Sequence, residues 1–179
     1  MYQHCLPRID TLSEEQAAGI VTWNDVFPLL LTRALLPKLR SAAQHGPVLV
    51  EFVGSLSRHG APPTLAIYAA TKAFLHVLTR GLDNEERLWG VPSGVHFAYL
   101  DVGPVNSAVN RLAPSLTTPS SPALAKALVD QLGCGRRSYA PYFMHALIGA
   151  MGDVLPESWV ESWHIRLTKS VYAAADKSV

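Results

Sequence analysis

The chain has 179 residues, 49% of them hydrophobic and 16% charged, and a formal net charge of +1. That is the length of one domain with enough apolar material for a real core, which excludes a disordered tail. The near-neutral balance offers no basic stripe, so no nucleic-acid partner is expected.

Cys5 and Cys134 have no metal-ligand spacing and build no disulfide framework, as in a protein of a reducing compartment. The opening "MYQHCLPRIDTLSEEQ" lacks the apolar core of a secretory signal, and no run reaches membrane-spanning length. "SEEQ" at Ser13–Gln16 predicts a capping box with two acids in the first helical turn. A helix is expected from there to about Gln44, bent at Pro28 and Pro37. "GPVLVEFVG" (Gly46–Gly54) is Val-rich and reads as a buried parallel strand. After the loop "SLSRHGAPP", a helix is predicted over about Thr64–Glu86, and a second strand over Val95–Val102. The Pro/Ser/Thr-rich run that follows has the length of a functional lid or of a disordered segment. Helices are predicted over Ser121–Gln131, Tyr142–Gly152 and Pro156–Ala175. The stretch Tyr142–Leu155 reads as a buried helix, or as a segment facing lipid or covering substrate. A parallel pair joined by a right-handed helical crossover is the simplest arrangement, although two strands alone make a poor sheet.

Inside the central helix, Tyr68 and Lys72 lie at i and i+4, one turn apart on one face. An ammonium beside a phenol stabilises phenolate and makes the tyrosine a better proton donor near neutral pH. The pair by itself is weak evidence. Ser55 strengthens it, because it lies thirteen residues earlier, just past the C-terminal end of the first strand. Ligands of open α/β sheets bind at that end. A serine hydroxyl there can hold a carbonyl oxygen while Tyr68 protonates it.

A serine thirteen positions before Tyr-x-x-x-Lys, between a strand and a helix, resembles the short-chain dehydrogenase/reductase family. The resemblance implies a carbonyl–alcohol oxidoreductase using NADP(H) or NAD(H), with NADPH favoured. Tyr68 would be the general acid or base. Lys72 would lower its pKa and bind the nicotinamide ribose, and Ser55 would position the substrate carbonyl. "TWNDVFPLLLTRALLP" resembles the helix that supplies the family's catalytic Asn, which falls on Asn24. In that family the Asn sits at a helix bend where its backbone carbonyl holds a relay water, and the resemblance implies the same for Asn24. Here Pro28 has no N–H to pair with the Asn24 carbonyl, which supplies a physical reason for the bend. "LDVGPVNS" resembles the Pro-Gly-x-Val-x-Thr loop that contacts the nicotinamide, with Gly103, Val105 and Ser107 matching and Val102 replacing the usual Pro.

The C-terminal part resembles the very-long-chain 3-oxoacyl-CoA reductase and 17β-hydroxysteroid dehydrogenase branch, through His145–Leu147, Leu155–Pro156 and Trp159. That branch implies an apolar ketone substrate (acyl-CoA or steroid-like), membrane-surface contact and a place at the endoplasmic reticulum membrane. The chain alone, with no signal or span of its own, is expected to be cytosolic. His59, His76, His96 and His145 read as packed or solvent-facing, and no metal site is expected. Arg136 and Arg137 read as a solvated loop, or as a basic pair meeting a phosphate-bearing substrate.

The family's glycine-rich TGxxxGxG turn and NNAG strand do not occur in this sequence. The expected fold is therefore α/β, the C-terminal part of a Rossmann-type doubly wound parallel sheet with extra C-terminal helices. Residues 1–110 form the catalytic core part, and 111–179 the substrate loop and C-terminal helices. Two readings stay open. One is a ketone reductase whose cofactor-binding first part lies outside this sequence. The other is a non-catalytic relative that binds a full-length reductase, as a mixed dimer or beside a homodimer. Either way, the chain alone is expected to bind NADPH weakly or not at all.

Overall fold

The computed structural model describes residues 8–89, 94–108 and 110–176, with side chains to residue 170. Cys5 and the first seven residues of the segment read for a leader lie outside these residues. Cys134 is free and exposed.

The capping box forms as the sequence predicts: Gln16 N–H donates to Ser13 Oγ (3.1 Å), and Ser13 N–H donates to Gln16 Oε1 (3.0 Å). It starts α1 (Glu14–Val21), which leads through a π-helical turn, Thr22–Val26, into α2 (Phe27–Ala42). In that turn Phe27 N–H donates to the Thr22 carbonyl, five residues back instead of four. The predicted break at Pro28 is thus a widened turn. The predicted bend at Pro37 does not interrupt α2. Pro37 offers no N–H to the Arg33 carbonyl, and both residues are exposed.

The sheet has three parallel strands in the order β1 (Val48–Val53), β2 (Val95–Leu100), β3 (Ser138–Tyr139). Val48 pairs with Val95 through to Val53 with Leu100, and Tyr99 pairs with Ser138. The third strand was not legible in the sequence, because two residues carry no periodicity. β2 lies between the others, and alternate side chains point to opposite faces. Val95, Phe97 and Tyr99 join Phe52 and Leu75 of α3 (Ala66–Trp89), flanked by Leu36 and Leu39 of α2. Ala98 and Leu100 pack on the other face with Tyr139 and Leu128 of α4 (Ser121–Gln131). Helices on both faces of a parallel sheet are the doubly wound arrangement. Two further helices, α5 (Phe143–Val154) and α6 (Glu157–Asp176), complete the chain.

Asp83 of α3 ties this core together. It is 1% exposed. Its Oδ1 accepts from Phe97 N–H (3.2 Å), and its Oδ2 meets Arg87 Nε (3.1 Å) and Arg137 Nε (2.8 Å). Arg137 is therefore no solvated loop residue. It is the counter-charge of a buried carboxylate, while Arg136 is exposed as expected. Among the described residues, no helix is long and apolar enough to cross a membrane.

Candidate functional site

β1 and β2 end side by side, and the chain leaves both through loops that meet. Gly54 N–H donates to the Leu100 carbonyl (2.9 Å), and Leu56 N–H to the Val102 carbonyl (3.1 Å). This places Ser55 next to the Asp101–Gly103 segment, at the carboxyl end of the sheet. Ser55 caps a 3-10 turn, Leu56–His59, its Oγ accepting from Ser57 N–H (3.2 Å) and lying 3.0 Å from Ser57 Oγ.

α3 carries the other two residues. Lys72 is 9% exposed, and its Nζ stands 5.3 Å from the centre of the Tyr68 ring. Nζ also donates a long hydrogen bond to the Val53 carbonyl (3.4 Å) at the end of β1. Burial holds the Lys72 ammonium below the ordinary lysine range, and the charge of Asp25 opposes that shift.

Tyr99, at the core of β2, is the strut between the serine and the lysine. Its hydroxyl accepts from Ser55 N–H (3.0 Å) and donates to the Lys72 carbonyl (3.1 Å). Its ring is fully buried, and burial pushes the phenol up to about 12, so it stays protonated as a donor. Gly54 makes room for it: a Cβ there would stand 1.9 Å from the ring. The sequence reading missed Tyr99. A glycine directly before the candidate serine and an aromatic in the next strand were the available signals.

Asn24 lies in the π-helical turn, and its Nδ2 donates to the Ile20 carbonyl (2.9 Å). The neighbouring Asp25 is buried, and its Oδ1 has no hydrogen-bond partner among the described residues. Burial raises its pKa, and the Lys72 charge lowers it. The turn therefore faces Lys72 electrostatically through Asp25, which the sequence reading passed over.

On the β2 side, Gly103 N–H donates to His145 Nδ1 (3.1 Å). Val105 is half-buried. Ser107 closes a local turn with Asn110, its N–H donating to the Asn110 carbonyl (2.8 Å) and its Oγ accepting from Asn110 N–H (3.0 Å). The structure thus links Ser55 and Lys72 through Tyr99, sets the Lys72 ammonium 5.3 Å from the centre of the Tyr68 ring, ties Gly103 to His145, and places Asn24 beside a residue that acts on Lys72. Among the described residues no group of His, Cys, Asp or Glu can hold a metal.

A separate cavity of about 510 Å³ opens between α3, the start of β3 and α5, lined by Arg58, His76, Arg80, Asp101, Arg136 and His145 among others. Arg58 is committed there to Asp101, with contacts of 2.8 and 2.7 Å. Ser55, Tyr68 and Lys72 do not line this cavity.

No family model matches the chain. Among curated proteins it is 33% identical over 106 residues to a very-long-chain 3-oxoacyl-CoA reductase-like protein of Arabidopsis thaliana, covering 59% of this chain and 34% of that protein. It is 30% identical over 152 residues to the very-long-chain 3-oxoacyl-CoA reductase of Pyricularia oryzae, covering 83% of this chain and 42% of that one. The chain thus spans less than half the length of these relatives. Among solved structures it superposes on a short-chain dehydrogenase from Burkholderia cenocepacia in complex with NADP, with TM-score 0.70 and 22% identity, covering 92% of this chain and 66% of that one. The NADPH-bound carbonyl reductase from chicken fatty liver gives TM-score 0.64 at 20% identity, over 76% of this chain and 58% of that one. These likenesses run through most of the chain, and they agree with its doubly wound sheet: the chain belongs to the short-chain dehydrogenase/reductase family.

Proposed function

We propose that this chain is the catalytic part of an NADPH-dependent reductase that turns a ketone into an alcohol. The substrate class is a long-chain 3-oxoacyl thioester, with a steroid-like ketone as the alternative. The observation that carries this is the placement of the Lys72 ammonium over Tyr68, with Ser55 held in register by Tyr99.

The residues present suit the nicotinamide end of the cofactor by the chemistry of their donors. Lys72 and Tyr68 offer charged and hydroxyl donors to ribose, and Gly103, Val105 and Ser107 lie on the adjoining loop. When bound, the cofactor supplies a hydride to the carbonyl carbon. Ser55 Oγ would hold the carbonyl oxygen, and Tyr68 would deliver its phenolic proton to that oxygen as charge develops. The Lys72 ammonium favours the phenolate left behind, and the charge of Asp25 opposes the downward pull of burial on the lysine. The Asn24 carbonyl, which Pro28 cannot satisfy, is suited to hold the water that returns a proton. The relatives' names favour the acyl thioester.

Cofactor affinity in this fold comes largely from the first βαβαβ half, and the glycine-rich turn is not in this sequence. The test is NADPH oxidation with a 3-oxoacyl-CoA, using this chain alone and the protein that contains it together with a glycine-rich segment. Turnover by the longer protein that falls ~100-fold or more in Tyr68→Phe supports the reading. Undiminished turnover in that variant overturns it. A low-micromolar Kd for NADPH on the chain alone contradicts the division of labour.

A second reading has its own observation. Among the described residues β1 pairs along one edge, with β2, and α2 exposes Phe27 (51%), Leu30 (54%) and Leu31 (44%). Such a surface suits pairing with another copy or with a full-length reductase. Retained binding to a reductase by Tyr68→Phe, with no turnover by any form, would favour this second reading.

A further inference from the structure

We infer that His145 is a positioning residue that clamps the Val102–Ser107 loop to the segment before α4 from outside the catalytic set. This inference deepens the proposed reading, since that loop is the one assigned there to the nicotinamide.

His145 has 0% exposure although it stands in α5, far along the chain from either loop. Its two ring nitrogens engage two different backbone segments. Nδ1 accepts from Gly103 N–H at 3.1 Å, and Nε2 lies 3.2 Å from the Thr117 carbonyl. A nitrogen that accepts from an N–H carries no proton, so the proton belongs on Nε2, which donates to Thr117. The neutral Nε2–H tautomer is therefore the one form that satisfies both ends. The imidazole holds two points fourteen residues apart in sequence at a fixed separation.

The partners are built around this ring. A Cβ on Gly103 would stand 2.5 Å from His145 Cδ2 and 2.7 Å from Nε2. Gly103 is thus needed for space, since its backbone is not in the left-handed region. Tyr142, the residue just before α5, sets its ring edge-on to the imidazole at 5.1 Å. Around the two clamped points the chain is tied to itself: Asn106 N–H donates to the Pro119 carbonyl (2.9 Å), and Asn106 Nδ2 to the Leu112 carbonyl (2.7 Å). Among the described residues, these ties join the Val102–Ser107 loop to the segment before α4, and the His145 side chain anchors both to α5.

A filler of space and a hydrogen-bonded clamp respond oppositely to two substitutions. Leucine keeps the apolar bulk and loses both bonds. Asparagine is smaller but puts an amide oxygen near the place of Nδ1, where it can accept from Gly103. The measurement is amide hydrogen exchange at Gly103 by NMR on the full chain, with cooperative melting as the check of folding. The clamp predicts exchange ~10-fold or more faster in His145→Leu, and protection largely restored in His145→Asn. Protection unchanged in the leucine variant, or equally lost in both, overturns it.

The wild-type protein supplies a second reading that needs no variant. Imidazole ¹⁵N shifts of the Nε2–H tautomer, with a coupling across the bond from Gly103 N–H to Nδ1, are expected. A proton on Nδ1 at neutral pH overturns the clamp. Both measurements are independent of turnover. If the clamp holds and NADPH affinity of the longer protein is the same in both variants, the assignment of this loop to the cofactor fails while the clamp stands.

Discussion

Lys72 is the residue whose surroundings do most to set the site's chemistry. Its ammonium is buried and held below the ordinary lysine range, with Asp25 in opposition. At low pH the ammonium is charged in the folded and unfolded chain alike, and its desolvation cost stands in full. As pH rises through the depressed pKa toward the ordinary value of about 10.4, the folded chain sheds its proton first, so stability rises across that window. Lys72→Met should remove that rise, which urea midpoints at a series of pH values will show. Asp25→Asn should lower the Lys72 pKa further, read by NMR titration of Nζ. An unchanged value would mean that Asp25 does not govern the lysine. Tyr99 is the second such residue. Tyr99→Phe strips a hydroxyl that serves both the Ser55 N–H and the Lys72 carbonyl, and should cost about 1–3 kcal/mol in chemical unfolding. Gly54→Ala drives a methyl into the same ring and should destabilise by about 1–3 kcal/mol or more.

Helices and strands are coupled here by charges that reach between them. Arg40 of α2 holds Glu86 of α3 with Nε contacts of 3.2 and 3.1 Å, and Glu86 is only 4% exposed. Asp83 does the same for α3, β2 and the lead-in to β3 through Phe97 N–H and Arg137. Asp83→Leu leaves Arg137 without its carboxylate and the Phe97 amide without its acceptor. A loss of about 2–4 kcal/mol is expected by urea unfolding. A loss under about 0.5 kcal/mol would show that the network only decorates the fold. The π-helical turn is a junction of another kind, where α1 runs on into α2 and Pro28 offers no N–H to the Asn24 carbonyl. That much was legible in the sequence, because proline acts locally. The partners of Asp83 were not, because they are fourteen and fifty-four residues away along the chain.

Across the whole molecule, proton uptake is set by burial. His76, His145 and His164 are all held below the ordinary imidazole range, with burial the leading cause in each. The unfolded chain therefore binds more protons as pH falls below about 6.5, and stability should decline from there toward the depressed values. Asp101, pulled below the ordinary carboxylate range against the pull of burial, adds a second loss only below about pH 4. Urea midpoints at pH 7.5 and 5.5 will show the first decline, and equal midpoints would contradict it. The exposed apolar residues of α2 also act at this scale. Phe27→Glu with Leu31→Glu should raise the monomer fraction in sedimentation, if that face is where copies of the chain meet.

Local chemistry was readable because it acts within a turn or two of the chain. The Ser13 cap, the helix boundaries at Ser121 and Gln131, the one-turn spacing of Tyr68 and Lys72, and the break at Pro28 all follow from neighbours in sequence. So does the parallel pair with its helical crossover, since Val-rich runs alternate with helical ones, whereas the doubly wound class was implied by the family resemblance. Tertiary structure alone decided what those residues meet. It brought Tyr99 between Ser55 and Lys72, set Asp25 against the lysine, and joined Gly103 to Thr117 through His145. Each of these contacts spans a long loop of chain, and its energy depends on burial and on distances of about 3 Å. Neither quantity exists until the sheet and its helices have packed.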